Sequence, residues 1–323
     1  MKIFLTGATG FIGGHFLKHC LAAGHKVTCS VRSTQQADAI SALRATPWQG
    51  SLQNQGELSL ALAGFDLLIH AAGCRDLAAP AELLKQSNTI LTQVLVDAAA
   101  KAGVPQFIYI SAASVAMGDP TPLFNITESS PIVLRDYLPY TRSKALAESY
   151  VLAVQQSAMK VVVLRPSFVW GKGDSIDIEI GPASNRGQFG WFSQGHYPFA
   201  TCSIANLCDA LHQAMQYTQS GCVFNISDCE PVDFRVFMSE RLKVSGFLVP
   251  TLSVPRKLAW GLGAFTENGW KYLPMPGKPP LVREMVRLMG FPFTVSIEHA
   301  NQELGYSAQH SVEAGMRAIV SNK

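Results

Sequence analysis

The sequence has few charged residues, no cluster of cations and no cysteine motif. Charged side chains make up 15% of the 323 residues, and 26 Lys and Arg against 23 Asp and Glu leave a net charge of +3. So slight an excess, without a Lys/Arg block, gives no reason to expect nucleic acid as a partner. The seven cysteines are scattered, with no Cys-x-x-Cys pair and no His/Cys cluster at metal-ligand spacing. We therefore predict reduced thiols and no metal site.

Long apolar runs and a leader segment are also missing. The most apolar late stretch, residues 248–265, is interrupted by Pro250, Pro255, Arg256 and Lys257, so we expect no transmembrane segment. Met1 runs directly into a strand-like segment and a glycine-rich turn, which leaves no room for a cleavable signal peptide. We expect a cytoplasmic protein whose partners are small molecules. Hydrophobic residues form 48% of the chain, which suits a globular protein with a large core.

Short β-branched runs alternate with segments of helical period. Strands are predicted at residues 2–6, 26–31, 67–71, 107–111 and 161–165. Strands separated by helices indicate βαβ crossovers, and strands without polar alternation indicate helices on both faces of a sheet. The predicted fold class is therefore α/β: a Rossmann-type doubly wound parallel sheet with a smaller, partly discontinuous C-terminal substrate region.

The composition changes after Gly171, where Gly, Ser, Asn, Phe and Trp become frequent. We predict a dinucleotide-binding domain over residues 1–170 and a mainly substrate-binding region over residues 171–323. A helix-like stretch at 203–217 and a strand-like stretch at 223–226 indicate that the chain rejoins the sheet at about 200–228. Five aromatic residues of the second region are candidates either for an apolar substrate pocket or for ordinary core packing: Phe189, Trp191, Phe192, Tyr197 and Phe199.

The first strand breaks on a glycine-rich turn that opens a helix. Glycines at positions 7, 10 and 13 allow a tight turn, close approach of a ligand to the backbone and tight packing of the helix. A pyrophosphate can then sit against the free N–H groups and the positive dipole of the helix N-terminus. The location in the first βα turn of a βαβ unit predicts dinucleotide binding. The coenzyme-binding residues predicted in this segment are Gly7, Thr9, Gly10, Phe11, Ile12 and Gly13.

The end of the second predicted strand indicates which dinucleotide binds. The strand ends Ser30-Val31-Arg32-Ser33, so no carboxylate is present for a ribose 2'-hydroxyl, whereas a guanidinium fits a 2'-phosphate. A charge-assisted hydrogen bond of about 1.5 to 3 kcal/mol corresponds to a preference of about 10- to 150-fold. We predict NADP, with NAD as the less favoured coenzyme. The alternative is that Arg32 is a solvated charge at the strand end.

Tyr140 and Lys144 are four residues apart in a predicted helix, so they lie on one face, one turn apart. A tyrosine hydroxyl with a pKa near 10 exchanges protons poorly at pH 7, and a nearby cation lowers that pKa. The pair therefore predicts an acid/base for reducing a carbonyl or oxidising an alcohol. Surface helices also carry such pairs, and the location just before the strand at 161–165 favours the catalytic interpretation.

Together these motifs resemble the extended short-chain dehydrogenase/reductase family. The likeness includes Asp66-Leu67-Leu68-Ile69-His70-Ala71-Ala72-Gly73 at the fourth strand, Asn88 opening the next helix, the Leu-Arg-Pro segment that runs to Gly171, and Glu303-Leu304-Gly305-Tyr306 near the end. The resemblance implies that Tyr140 is the acid/base and that Lys144 orients the nicotinamide ribose. It also implies a set of residues that line the coenzyme: His70, Ala71, Ala72, Gly73, Asn88, Pro166 and Val169.

The segment from Gly277 to Arg283, with the final Glu-Leu-Gly-Tyr, is most similar to the 3β-hydroxysteroid and sterol dehydrogenase branch, together with its relatives that reduce β-keto fatty acyl compounds. That branch implies a hydrophobic ketone or alcohol as substrate. In this family the helices that flank the tyrosine often form a dimer interface, so a homodimer is a further expectation from the resemblance.

Two positions depart from the family pattern. Ala112 stands where the family has a serine that donates to the substrate oxygen; Ser111 is expected to point to the opposite face, and Ser114 is our candidate replacement. Losing such a donor typically costs about a hundred- to a thousandfold in rate. Ser51 stands where an aspartate often contacts the adenine ring, which predicts a modest loss of coenzyme affinity.

The leading hypothesis is an NADP-dependent oxidoreductase that acts on a ketone or a secondary alcohol. One alternative is a nucleotide-sugar epimerase or dehydratase that retains NAD, and Arg32 argues against it. A second alternative, prompted by Ala112, is a coenzyme-binding regulatory protein with weakened catalysis.

Overall fold

A seven-stranded parallel sheet forms the centre of the protein, whose computed structural model describes residues 1–154, 158–273 and 275–321. Every neighbouring pair in this sheet is parallel. In spatial order the strands are β3 (Thr46–Trp48), β2 (Lys26–Ser30), β1 (Lys2–Thr6), β4 (Leu67–His70), β5 (Gln106–Ile110), β7 (Lys160–Pro166) and β12 (Cys222–Ile226).

Helices cover both faces of this sheet, because alternate residues of each strand point to opposite sides. In β1, Ile3 and Leu5 belong to one apolar core, whereas Phe4 belongs to the other. The first core is covered by α1 (Phe11–Ala22), α2 (Thr34–Ala42), α8 (Ile204–Gln216) and α12 (Glu298–Glu303). The second is covered by α3 (Gln55–Ala61), α5 (Leu91–Lys101) and α6 (Pro139–Ala153), with α4 (Ala81–Leu84) beside α6.

The predicted fold class is confirmed. All five strands predicted for the first half are present, with ends within one residue of the prediction. The strand-like stretch near residue 223 is β12, which joins the sheet edge beside β7 with Val223 opposite Val163. The division into a coenzyme domain and a substrate region stays a prediction.

The remaining elements form smaller layers beyond the carboxyl end of the main sheet. A four-stranded sheet has the order β13 (Val232–Asp233), β10 (Pro198–Phe199), β15 (Phe293–Val295) and β6 (Leu123–Ile126). Two strand pairs accompany it: β8 (Phe168–Trp170) with β11 (Thr201–Ser203), and β9 (Trp191–Phe192) with β14 (Ser253–Val254). The helices here are α7 (Gly181–Asn185), α9 (Phe234–Ser245), α10 (Arg256–Tyr272), α11 (Arg283–Met289) and α13 (Val312–Ser321).

Of the five aromatic candidates of this region, three are buried in its core, and Phe189 and Phe192 are half-buried beside apolar clusters. Trp191, Tyr197 and Phe199 are buried around Phe234, with the Tyr197 ring stacked on it at a centroid distance of 5.4 Å. The core interpretation therefore holds for these three, and the pocket interpretation is wrong for them. Across the described residues, no helix is long and apolar enough to cross a bilayer.

Candidate functional site

The glycine turn between β1 and α1 leaves space at the helix N-terminus. Gly7 has a φ of +77°, and a Cβ there would lie 2.7 Å from the backbone nitrogen of Ala72. A Cβ on Gly13 would lie 2.1 Å from the carbonyl oxygen of Gly7, so the helix packs directly on the turn. No side chain caps α1 and no acidic residue lies in its first turn. The Gly10 N–H donates to the Gly7 carbonyl over 2.9 Å, and no described side chain occupies the N–H groups that follow at the start of α1, so the site fits the pyrophosphate of a dinucleotide.

A buried chain of hydrogen bonds supports this turn. The imidazole of His70 lies between two hydroxyls, with Nδ1 2.8 Å from Thr6 Oγ1 and Nε2 2.9 Å from Thr92 Oγ1. Thr92 donates to the carbonyl of Asn88, and the Ala72 N–H donates to Thr6 Oγ1 over 3.2 Å. These directions require a neutral ring with the proton on Nε2, and burial lowers the pKa of His70 to about 3.

His70 is predicted as a turn residue beside the coenzyme, and that stays a prediction; its side chain points into the protein. The residue is 0% exposed, and both ring nitrogens are occupied by threonine hydroxyls. His70 instead holds the carboxyl ends of β1 and β4 together beneath the turn. Ala71, Ala72 and Gly73 follow it at the surface of the site, where each is at least partly exposed.

Asn88 links the segment after β4, at Cys74, to the helix of the candidate tyrosine. Its side-chain amide donates to the Cys74 carbonyl and to Ser143 Oγ, each over 2.9 Å, and its Oδ1 accepts from the Cys74 N–H over 2.7 Å. Ser143 in turn donates to the carbonyl of Tyr140 over 2.7 Å. Asn88 does not open a helix as predicted, because it lies in a π-helical turn, Lys85–Ile90, inside a helical run that begins at Ala81.

Tyr140 lies in the first turn of α6, and that helix is capped from outside. Glu284 of α11 accepts from the N–H groups of Tyr140 and Thr141 over 2.8 and 2.7 Å. No local side chain caps α6, so Glu284 supplies the acceptors that a helix start lacks. Burial, together with the nearby Glu284 charge, raises the pKa of Tyr140 to about 12.

Lys144 is buried one turn after Tyr140 and faces the end of β5. Its Nζ donates to the carbonyl of Ile110 over 2.6 Å and lies 4.4 Å from the centre of the Tyr109 ring. Burial lowers the pKa of Lys144 to about 7, while the Glu148 carboxylate opposes this shift. The lysine is therefore near the point where small changes in local charge decide its protonation.

The segment after β5 shows which serine is available. Ser111 donates to Glu148 over 2.6 Å, and Glu148 pairs with the buried Arg165. Ser114 lies in a short 3₁₀ turn, Ala113–Ala116, and its Oγ is buried without a hydrogen-bond partner among the described residues. A buried hydroxyl without a partner costs free energy, so Ser114 is suited to meeting an oxygen atom of a ligand.

Arg32 is exposed just beyond β2, the strand next to β1. Its backbone N–H donates to Gln36 Oε1 over 2.8 Å, and its guanidinium makes no ion pair within the described chain. The carboxyl ends of neighbouring parallel strands share one edge, which brings Arg32 to the side of the glycine turn. The guanidinium is therefore available to a phosphate.

Other predicted residues lie at the same edge of the sheet. Pro166 is buried where β7 ends, and Val169 is half-buried on β8 opposite Cys202. Within the described ranges, no group of three or more His, Cys, Asp or Glu side chains could hold a metal ion.

Sequence reasoning misses Glu284 and Arg287, which reach the site from α11. Glu284 contacts Tyr140, and Arg287 is 0% exposed and donates from Nε to the carbonyl of Gly118 over 3.2 Å. Their spacing of three residues places both on one helix face, which is a signal the sequence does contain. Nothing in the sequence tells which of the other elements that face meets.

Comparison with known proteins identifies the class. Residues 3–227 match the NAD dependent epimerase/dehydratase family, and the chain belongs to that family. It is an NAD(P)-binding oxidoreductase of the extended short-chain dehydrogenase/reductase type, similar to the hydroxysteroid and sterol dehydrogenases.

Three relatives align over nearly the whole chain. A 4-hydroxy-2-methyl-3-oxo-4-farnesyl-3,4-dihydroquinoline-1-oxide ketoreductase from Stigmatella aurantiaca is 30% identical over 99% of this chain and 96% of its own length. A decarboxylating sterol-4-alpha-carboxylate 3-dehydrogenase from Dictyostelium discoideum is 28% identical, with 98% of each chain covered. A 2-alkyl-3-oxoalkanoate reductase from Stenotrophomonas maltophilia is 27% identical, covering 99% of this chain and 98% of the relative.

Among solved structures, a dTDP-glucose 4,6-dehydratase from Streptomyces venezuelae with NAD bound superposes with a TM-score of 0.75. It is 20% identical and covers 99% of this chain and 96% of its own. At that identity the likeness supports the fold alone.

Proposed function

We propose that the protein is an NADP-dependent oxidoreductase that transfers hydride between nicotinamide and a ketone or secondary alcohol on a hydrophobic small molecule. The observation that supports this most is the placement of Tyr140. Its hydroxyl makes no hydrogen bond within the described residues, and it is one helical turn from the buried Lys144. Hydrogen bonds through Ser143 and Asn88 connect its helix to Cys74, in the segment that follows β4.

The residues that would hold the coenzyme follow from this geometry. The N–H groups at the start of α1 would bind the pyrophosphate, and Arg32 would bind the 2'-phosphate. Ala71, Ala72 and Gly73 would border the adjoining ribose. When bound, the nicotinamide supplies or accepts the hydride, which is the chemistry that no side chain offers.

Tyr140 would exchange the proton with the substrate oxygen. A hydroxyl whose pKa is about 12 is a weak acid/base at neutral pH, so it needs the ammonium form of Lys144 nearby. The ammonium form is favoured when negative charge is close, and it in turn lowers the pKa of Tyr140. Burial lowers the pKa of Lys144 to about 7, and the neighbouring Glu148 carboxylate favours the ammonium form.

Ser114 would supply the second contact to the substrate oxygen. Its buried Oγ has no partner in the described part of the chain, whereas Ser111 is occupied by Glu148. A donor at the oxygen where charge develops is typically worth about a hundred- to a thousandfold in rate. With Ser114 in that role, Ala112 does not imply weakened catalysis.

The hydrophobic substrate class rests on the relatives. Their names specify a farnesylated ring ketone, a sterol and an alkyl chain, all largely apolar. The nucleotide-sugar alternative requires NAD that stays bound through the cycle, and the unpaired guanidinium of Arg32 favours an exchangeable NADP instead. A cytoplasmic location and a homodimer stay predictions.

The substitution Tyr140→Phe tests the mechanism. We expect kcat for NADPH-dependent reduction of a medium-chain ketone such as 2-decanone to fall by about 10²- to 10⁴-fold, because the proton donor is lost. The Kd for NADPH should stay unchanged. Tyr150→Phe is the matched control, since Tyr150 is on the same helix and donates only to Asp97 over 2.9 Å. Turnover that survives Tyr140→Phe would refute the assignment.

A further inference from the structure

Arg287 is a buried cation whose terminal nitrogens have no partner. Its Nη1 and Nη2 are inaccessible and make no hydrogen bond to any described residue, and Nε alone is bonded, to Gly118. The guanidinium lies 5.4 Å from the centre of the Phe291 ring, and burial lowers its pKa to about 10. A buried charge without an ionic partner is strongly unfavourable, so an arginine in this state is suited to an anion that arrives with a ligand.

No carboxylate of the described chain neutralises it. Asp119 is the acidic group whose charge acts on Arg287, but its two oxygens accept from Arg135 over 2.9 and 2.8 Å and from Tyr137 over 2.8 Å. By contrast, the buried Arg241 is paired with Asp174 and Asp177. The buried Arg241 therefore has carboxylate partners, whereas Arg287 forms no ion pair with a described residue.

The position of Arg287 connects it to the reacting groups. It is one turn after Glu284, whose carboxylate bonds the first turn of the Tyr140 helix. Gly118, its other contact, comes directly after Met117, which bonds back to the carbonyl of Ser114. Arg287 therefore lies between the two segments that we assign to the substrate oxygen.

We propose that Arg287 binds a carboxylate of the substrate, and that the substrate is a 3-oxo acid or its 3-hydroxy counterpart. This inference rests on the proposed function, because Tyr140 and Ser114 must contact the oxygen on C3, the carbon next to the one that carries the carboxyl group. A planar guanidinium with two free nitrogens can donate two parallel hydrogen bonds to the two oxygens of a carboxylate. Two relatives carry names with this arrangement: a 3-oxoalkanoate reductase, and a 3-dehydrogenase of a sterol with a carboxylate at the adjacent position 4.

The test compares three alcohols that differ only near the reacting carbon: 3-hydroxydecanoate, its methyl ester, and 2-nonanol, which lacks the carboxyl group. The reaction is measured as oxidation with NADP, so the unstable 3-oxo acid is a product and need not be supplied as substrate. We expect kcat/KM for the acid to exceed that for the ester and for 2-nonanol by about 10- to 150-fold, the range for a hydrogen bond to a charged group. Arg287→Met should abolish this preference by raising KM for the acid. The values of kcat/KM for the two neutral alcohols should not change.

Controls separate binding from folding. Arg256 lies over the same Phe291 ring at 4.6 Å, so Arg256→Met removes a cation from the same surroundings and should leave the acid preference intact. Arg287→Lys should retain part of the preference. In thermal melts with NADP, decanoate should stabilise the wild type and not Arg287→Met, which gives a readout independent of turnover.

The outcomes are distinct. Turnover of all three alcohols without preference for the acid would overturn the carboxylate site and leave the proposed function standing. Equal losses on all three in Arg287→Met would assign the arginine a structural role and overturn the proposal. No turnover of any alcohol or of 2-decanone would refute the proposed function, and the carboxylate assignment with it.

Discussion

At the scale of single residues, the site separates groups that are engaged from groups that are free. His70, Asn88 and Ser111 have their polar atoms occupied by neighbours, so they position other residues. Ser114 Oγ and the terminal nitrogens of Arg287 have no partner in the described chain. The engaged groups fix geometry, and the free ones are suited to ligands.

Arg32 gives a prediction about coenzyme choice. Arg32→Ser should raise the Kd for NADPH by about 10- to 150-fold and leave the Kd for NADH unchanged, because only NADPH has the 2'-phosphate. Fluorescence titration with the two coenzymes measures both constants. Arg44→Ser is the control, since Arg44 is exposed one helix further on. Parallel losses for both coenzymes would assign Arg32 a merely structural role.

At the scale of elements, α11 fixes the start of α6. The sequence predicts the tyrosine, the lysine and the strands beside them, because these depend on local period and on spacing within one helix. It does not predict that α11 meets the N-terminus of α6, because that contact joins residues 144 positions apart. The sequence also fails to predict α10, because three glycines weaken its helical signal. One of them, Gly263, lies so close to the next segment that a Cβ on it would be 2.9 Å from the backbone nitrogen of Arg283.

Glu284 gives a prediction about pH. Burial raises its pKa from 4.5 to about 7, so between these values the unfolded chain is ionised while the folded protein keeps the proton. The contribution of Glu284 to the free energy of unfolding is therefore fully present below pH 4.5. It decreases by up to about 1.4 kcal/mol per pH unit as the pH rises, and it is lost above pH 7. Thermal melts from pH 4.5 to 8 should show a decline in the wild type relative to Glu284→Gln.

The control for that prediction is Glu313→Gln, since the Glu313 side chain is 79% exposed and pairs only within its own helix turn. This variant should follow the wild type at every pH. Identical pH profiles for the wild type and Glu284→Gln would show that Glu284 does not titrate in this range.

At the scale of the whole molecule, the later part of the chain is built into the main sheet. Strand β12 forms its edge, Tyr306 donates to the carbonyl of Ser227 over 2.7 Å, and α11 bonds both α6 and the loop at Gly118. The later part of the chain therefore contributes to a core of the main sheet, and we expect the proposed substrate and coenzyme regions to unfold together.

Coenzyme binding tests this coupling. Three of the five tryptophans, Trp191, Trp260 and Trp270, lie in the predicted substrate region, after all proposed coenzyme contacts. Oxidised NADP at a hundred times its Kd should add about 2.7 kcal/mol to the unfolding free energy. In urea titrations, tryptophan fluorescence and far-UV circular dichroism should shift to the same higher midpoint. A shift confined to the circular dichroism signal would show two separately folding units.

The hydrogen-bond chain from Thr6 through His70 and Thr92 to Asn88 matters for redesign of this enzyme. Every group in it is committed, and Asn88 passes the constraint on to Ser143 and so to the Tyr140 carbonyl. Arg32 is outside this chain, and among the described residues its one hydrogen bond runs from its backbone N–H to Gln36. If the proposed roles of Arg32 and Tyr140 hold, we expect coenzyme preference to change by substitution at the edge of β2 while the acid/base keeps its position, whereas substitution of Thr6 or Thr92 should displace both the coenzyme turn and the Tyr140 helix.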